Sequence, residues 1–388
     1  MKPNDDGMEL RQRGAFLIWS IPMILSLCGL VMIASLSLRN SMTGGNPYAL
    51  PLKQFQFLGL GMTAMVCCTM FPPQALRRHS GLLWLVSLAL LWGTLVPGLG
   101  VRAGGARRWI NLLGFNFQPL EVLLFTMPIF LADRMTASRR EGLEAFVRPT
   151  FLVSFLSALP LMLQPNLGGA LVVIGVCCLM HVESRGWKYP VLGGILAFFL
   201  IALLIWQAPY RMRRFYAFWD PWSDPMGKGF QIIQGLVAFA NGGLTGVGIG
   251  KGLQEDRYLP EAQTDYIFPA IGEEFGLLGT AFLLALYALW TWRAYRIYRR
   301  SEDPFLSLLA LGMAASVVCP MFLNLGGVMK LMPLAGVPLP FISAGGSSLL
   351  FMWAKVGVLM AVDRTLRGRK LRMEELPEAP GRRARRES

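Results

Sequence analysis

Histidine is almost absent from this chain, with two in 388 residues, and the six cysteines at positions 28, 67, 68, 177, 178 and 319 all sit in apolar runs without ligand spacing. That pattern speaks against a zinc site, histidine-based catalysis and a disulfide framework, and leaves the cysteines as small core residues. No Walker-type or dinucleotide glycine-rich loop is present, which argues against nucleotide-driven transport by this chain alone. Charge is scarce as well: 15% of residues are charged against 54% hydrophobic, and no polar stretch is long enough for a soluble domain. With a mean hydropathy of +0.47, the composition is that of a polytopic membrane protein.

About 20 apolar residues cross the hydrocarbon core, and uncharged runs supply the spans. Residues 15–38, 54–76, 81–99, 189–210 and 304–329 each qualify alone. The run 149–182 is too long for one span and is interrupted by "QPNLGG", which predicts two helices meeting at a turn. Residues 118–133, 264–292 and 341–362 are spans with polar residues inside. The expectation is an all-α fold of about ten transmembrane helices. The opening "MKPNDDGMELRQRGAFLIWS" has acidic residues ahead of a long first span, which predicts a retained helix rather than a cleaved leader. The expected organisation is a cytoplasmic tail over 1–14, one membrane domain over 15–366, and a basic, disordered cytoplasmic tail over 367–388.

Most lysine and arginine falls in segments that alternate spans place on one side, so the positive-inside trend puts both termini in the cytoplasm. The formal charge of +14 then reads as topology and contact with anionic lipid, not as nucleic-acid binding. Two clusters break the trend. Arg102, Arg107 and Arg108 share one outward loop, and Arg211, Arg213 and Arg214 open the long outward loop at 210–264, between helices 7 and 8. Arginine forks match phosphate oxygens, so an anionic ligand suits both clusters; salt bridges or headgroup contact are the plainer alternative.

Four polar interruptions open on that same outward side. They are "FNFQPLEVLLF" with Glu121, "QPNLGG" with Asn166, "EAQTDYIF" with Glu261, Gln263 and Asp265, and "LMPLAGVPLPFISAGGSS" with Ser343, Gly345, Gly346 and Ser347. Prolines and glycines there break helices, and broken helices at membrane depth are tolerated where they line a cavity. The expectation is an outward-facing, partly wet pocket. Glu121 and Asp265 also have simpler roles open to them, as complement to a helix dipole and as a helix cap. Glu273 and Glu274, about two turns into the eighth predicted helix, read mainly as structural, with Lys330 and Lys355 as candidate partners.

The stretches "RRWINLLGFNFQPLE", "QPNLGGALVV", "DPWSDPMGKGFQIIQGLVAFANGGLTGVGIGKG", "YLPEAQTDYIFPAIGEEFGLLG" and "GVPLPFISAGGSSLL" resemble, in order, the signatures of the SEDS family, the FtsW, RodA and SpoVE type, with the division type the nearer. The resemblance runs from about residue 100 to 366. It implies a peptidoglycan glycosyltransferase in the bacterial cytoplasmic membrane that polymerises lipid II on the outer face. It also implies a class B penicillin-binding protein as partner, within the division or elongation machinery. Asp265 matches the family's essential aspartate and would receive the proton of an attacking sugar hydroxyl. Glu121, Asn166, Glu261, Gln263 and the serines and glycines at 343–347 would line the substrate pocket. The outward arginines, or a divalent cation such as Mg or Mn at the diphosphate, would stabilise the leaving group. No protein-held metal site is expected.

The chain departs from the family's usual pattern at several positions. A serine is usual at 120 and a lysine at 124, where this chain has Leu120 and Leu124. An aspartate is usual at 166 and a histidine at 263, here Asn166 and Gln263, and the position of Ala344 commonly holds a tyrosine. These changes leave Glu121 without its usual same-face partner one turn away. They keep two other functions in view: a noncatalytic scaffold for the penicillin-binding protein, and a transporter of lipid-linked precursor.

Overall fold

The computed structural model describes residues 5–40, 46–103, 106–112, 114–138, 141–196, 218–227, 229–252 and 262–375. Apolar runs become long helices because lipid offers no partner for backbone N–H and C=O groups, so the chain satisfies them internally. Helix α1 covers Asp5–Asn40, α2 Ala49–Met70, the short α3 Pro73–Arg78 and α4 Ser80–Gly93. A small sheet follows, and then α5 over Pro119–Ala137, α6 over Gly142–Leu163 and α7 over Leu167–Arg185. Helix α8 is described over 188–196. The remainder is α9 over Phe230–Gly242, α10 over Ile267–Arg300, α11 over Pro304–Val328 and α12 over Gly346–Glu375. Among the described residues five helical segments are long and apolar enough to cross a membrane: Ala15–Ser37, Gly142–Leu163, Leu167–Arg185, Ile267–Arg300 and Pro304–Val328. The protein is a mostly helical, multi-pass membrane protein.

Local chemistry sets several of these boundaries. The long run from 149 breaks where expected: α6 ends at Leu163 and the Asn166 side chain starts α7 by accepting from the Gly169 amide at 3.1 Å. Asp303 caps α11 by accepting from the amides of Phe305 and Leu306, with Pro304 as the first helical residue. Other boundaries differ from the sequence expectation. Helix α4 stops at Gly93, short of residue 99, and α12 starts at Gly346 rather than 341. Helix α1 reaches back to Asp5, and α12 runs past 366 to Glu375. The sheet was not foreseen at all. Strands β1 (Gly100–Ala103), β2 (Ala106–Leu112) and β3 (Phe115–Phe117) form an antiparallel meander, which gives the segment before α5 a framework of its own.

The eighth predicted span requires a larger correction. Helix α10 is broken at Gly276, whose φ of 66° and ψ of −165° are open only to glycine. The loop after α9 docks onto the break. Val247 and Gly248 amides donate to the carbonyls of Glu273 and Glu274 at 3.0 Å each, and the amides of Leu277 and Leu278 donate back to Gly243 and Leu244. From Leu277 to Arg300 the helix is about 36 Å long, enough to cross a bilayer alone. Glu273 and Glu274 therefore belong to a short helix ahead of the span, which begins only after the non-helical residues 262–266. Among the described residues neither forms an ion pair with Lys330 or Lys355. Glu273 accepts from the Asn241 side chain at 3.1 Å, and Glu274 accepts from the Ser35 hydroxyl at 2.8 Å and the Gly250 amide at 2.6 Å. Buried carboxylates held this way tie the loop after α9 to α1 and to the break.

The two ends of the bundle differ in charge. One end gathers Arg77 on Asp133 at 2.9 Å, Arg185 on the carbonyls of Met135 and Ser138, Arg293 on Asp363 at 3.7 Å and Tyr298 on Glu183 at 2.7 Å. The opposite end holds the sheet, the first turns of α5 and α7, the turn before α10 and the connection from α11 to α12.

Candidate active site

Asp265 lies in the turn at 262–266 that leads into α10. The capping position of that helix is Tyr266, one residue on, whose side chain makes no capping hydrogen bond. Asn324, fully buried near the end of α11, fixes the turn: its amide donates to the carbonyl of Asp265 at 2.8 Å and to that of Val337 at 2.7 Å. The connection 329–345 thus passes directly over Asp265. Gly336 makes that passage possible, since its φ is +65° and a Cβ there would sit 3.4 Å from Asp265 Oδ2.

The same connection is clamped on its other side. A Cβ on Gly168 would meet the Ala335 carbonyl oxygen, so the first turn of α7 lies against residues 335–337. A Cβ on Gly169 would come within 2.7 Å of the Leu120 side chain, which brings in the first turn of α5. Asp265, Gly336, Gly168 and the Leu120–Glu121 turn therefore form one continuous layer. The helix breaks read from the sequence thus meet in packing contact.

Several predicted pocket residues turn out to build the layer. The Ser343 hydroxyl donates to the Thr264 carbonyl at 2.6 Å and accepts from the Leu339 amide at 2.8 Å. Gln54 of α2, missed by sequence reasoning, bridges Ser343 and Gly345 by donating to the carbonyl of one and accepting from the amide of the other. Gln263 receives the Ala344 amide on its carbonyl at 2.8 Å and donates from its side chain to Ser37 at 3.3 Å. Ser347 accepts from the Gln118 amide, and Gly346 packs against the Phe57 ring. Asn166 serves as the α7 cap. Glu261, Arg211, Arg213 and Arg214 lie outside the described residues.

Glu121 is buried, with an exposure of 4%, and its cationic partner lies on α12. Lys355 Nζ is 3.8 Å from Glu121 Oε2 and has no exposed surface. The expectation that Lys355 serves Glu273 or Glu274 is overturned, because α12 packs its lysine toward α5. A partner for Glu121 thus exists even though position 124 is a leucine. The visible signal was a lone charge inside the apolar run 341–362.

The arginines divide. Arg108 on β2 donates to the Pro165 carbonyl at 2.6 Å and so holds the sheet over the α6–α7 turn. Arg102 and Arg107 are register partners on β1 and β2, beside an irregularity in the pairing. Like charges opposed across a ladder are unfavourable unless an anion relieves them. Among the described residues no group of three His, Cys, Asp or Glu side chains is disposed to hold a metal ion.

The FtsW/RodA/SpoVE family model, described as cell cycle protein, matches residues 15–368. The chain belongs to that family. Stage V sporulation protein E of Bacillus subtilis is 35% identical over 349 residues, covering 89% of this chain and 95% of that protein. The probable peptidoglycan glycosyltransferase FtsW of Coxiella burnetii is 37% identical over 355 residues, with the same coverage on both sides. The fold agrees. A chain from a peptidoglycan synthase complex that coordinates polymerization and crosslinking superposes with a TM-score of 0.75 at 27% identity, covering 90% of this chain and 98% of that one. A mutant of the Thermus thermophilus rod shape determining protein RodA superposes with a TM-score of 0.67 at 26% identity, covering 90% and 97%. Membership in the FtsW/RodA/SpoVE family places the chain among proteins of cell-wall synthesis, division and shape.

Proposed function

We propose that this protein polymerises lipid II into glycan strands at the outer face of the bacterial cytoplasmic membrane, with Asp265 as its catalytic residue. One observation carries the reading: the α11–α12 connection crosses Asp265 at Gly336, where a Cβ would stand 3.4 Å from the carboxylate, in a layer built from the ends of α5, α7, α10 and α11. In the reaction a sugar hydroxyl of one substrate attacks the anomeric carbon of the other. The new glycosidic C–O bond forms as the bond to the diphosphate breaks, the hydroxyl proton passes to Asp265, and the undecaprenyl diphosphate leaves with the bonding pair. A carboxylate within hydrogen-bond reach of that hydroxyl contributes as general base and by orientation.

The leaving diphosphate needs positive charge. The opposed Arg102 and Arg107 on the sheet above the layer suit it, since an anion between them relieves their repulsion. A divalent cation would add Lewis-acid stabilisation of the diphosphate. The described residues offer such an ion Asp265 and no ready-made cage, which fits a hard cation carried mainly by phosphate oxygens. Crosslinking of the strands would fall to a class B penicillin-binding protein as partner.

The test is polymerisation by purified protein with its cognate partner and lipid II. Asp265→Ala and Asp265→Asn should give no glycan polymer while eluting and melting as wild type does. Undiminished polymer from either variant would overturn the assignment. Cell division or growth sustained by the Asp265→Ala form alone would favour the scaffold.

A further inference from the structure

At the basic end of the bundle, far from Asp265, a cleft of about 870 Å³ opens between α4, α5 and α6. Its polar wall carries Arg134, Arg148, Ser138 and one acid, Glu144, and its apolar wall Trp84, Phe130, Leu152 and Leu156. Arg134 is thirteen residues along α5 from Glu121, about 20 Å at the helical rise, so the cleft is separate from the outer layer. We propose that this cleft binds an anionic glycerophospholipid of the cytoplasmic leaflet, with its phosphate between the two guanidinium groups and an acyl chain along the apolar wall.

The arginines are placed for this rather than used up by the fold. The Arg134 guanidinium lies over the Phe130 ring at 5.1 Å, and Phe130 stacks on Trp84 with centroids 4.6 Å apart and planes 4° from parallel. The ring stack orients the planar fork without neutralising it. Its neighbour Asp133 is engaged by Arg77 and by Ser80, and no carboxylate pairs with Arg134 among the described residues. Arg148 stands in the wide π-helical turn Phe146–Phe151, a distortion that recurs at functional sites. Among the described residues its one acid is Glu144 at 3.8 Å, with both side chains more than half exposed, a pairing that water screens and a phosphate can displace. Leu152, one turn on, is exposed and continues the apolar wall. Two arginines lining one apolar slot match a phosphate that carries hydrocarbon, and free phosphate would leave the slot empty.

The experiment uses full-length protein in mild detergent, incubated with mixed phosphatidylglycerol and phosphatidylcholine and read by native mass spectrometry. Phosphatidylglycerol should be retained over phosphatidylcholine by about tenfold. Arg134→Gln combined with Arg148→Gln should bring the ratio near parity, while Arg296→Gln with Arg299→Gln, at the same end but outside the cleft, should leave it unchanged. Should the double variant fold poorly, Leu152→Glu keeps both arginines and should lower the ratio by repelling the phosphate. Persistence of the preference in the cleft variants, or equal loss in the control pair, overturns the proposal. Displacement of the lipid by millimolar inorganic phosphate would overturn it in favour of a simple anion site. Displacement by equimolar undecaprenyl phosphate would overturn it in favour of an isoprenoid phosphate.

Discussion

Lys355 on α12 and Glu121 on α5 meet 3.8 Å apart in the protein interior, the lysine with no exposed surface. Breaking such a pair from one side leaves an uncompensated charge, which costs about 3–5 kcal/mol. Lys355→Met should therefore lower the thermal midpoint in detergent sharply. Adding Glu121→Gln to it should restore most of the loss, because a neutral pair needs no counter-charge. A double variant destabilised by the sum of the two single variants would show that the two residues act independently.

Gly336 lets the α11–α12 connection cross Asp265 with φ of +65°. Gly336→Ala puts a Cβ in a conformation that alanine resists, 3.4 Å from the carboxylate. A displacement that costs the transition state about 1.4 kcal/mol lowers the rate tenfold. Polymerisation by Gly336→Ala should fall by about that factor or more, with yield and monodispersity kept, as measured by product on gels.

Asn324 bonds the carbonyls of Asp265 and Val337 together. Asn324→Leu leaves two buried acceptors without that donor, at about 1–3 kcal/mol each. The expected outcome is a lower melting temperature together with a fall in polymerisation rate at saturating lipid II. A change confined to stability would make Asn324 structural only, and the rate at saturation separates the two.

Gly276 has backbone angles that side chains do not tolerate, and a Cβ there would run into the backbone of Leu244 and Gly246. Gly276→Ala should cost about 1–3 kcal/mol from backbone conformation alone. Since the break also seats Glu273 and Glu274, the loop at 243–250 should become protease-sensitive first. Limited proteolysis with mass mapping checks it.

How much of this was legible beforehand depends on the range of the interaction. Apolar runs predicted the five described segments long and apolar enough to cross a membrane, and "QPNLGG" predicted the α6–α7 turn, because hydrophobicity and proline or glycine punctuation act locally. The break at Gly276 was hidden inside an apolar run, since a lone glycine is compatible with a continuous helix. The sheet at 100–117 was hidden for a similar reason: its short strands lack the length that makes alternation visible.

Sequence by itself determined the solvent the chain is built for, the family, and the side of the molecule on which its breakers collect. Each follows from composition or from motifs read along one strand of residues. Only the tertiary structure decided which lysine meets Glu121, which side chains are consumed in holding the layer and which glycine clears space above Asp265. Those choices are made between helices far apart in sequence, where burial forces every polar group to find a partner and packing alone determines which one is within reach.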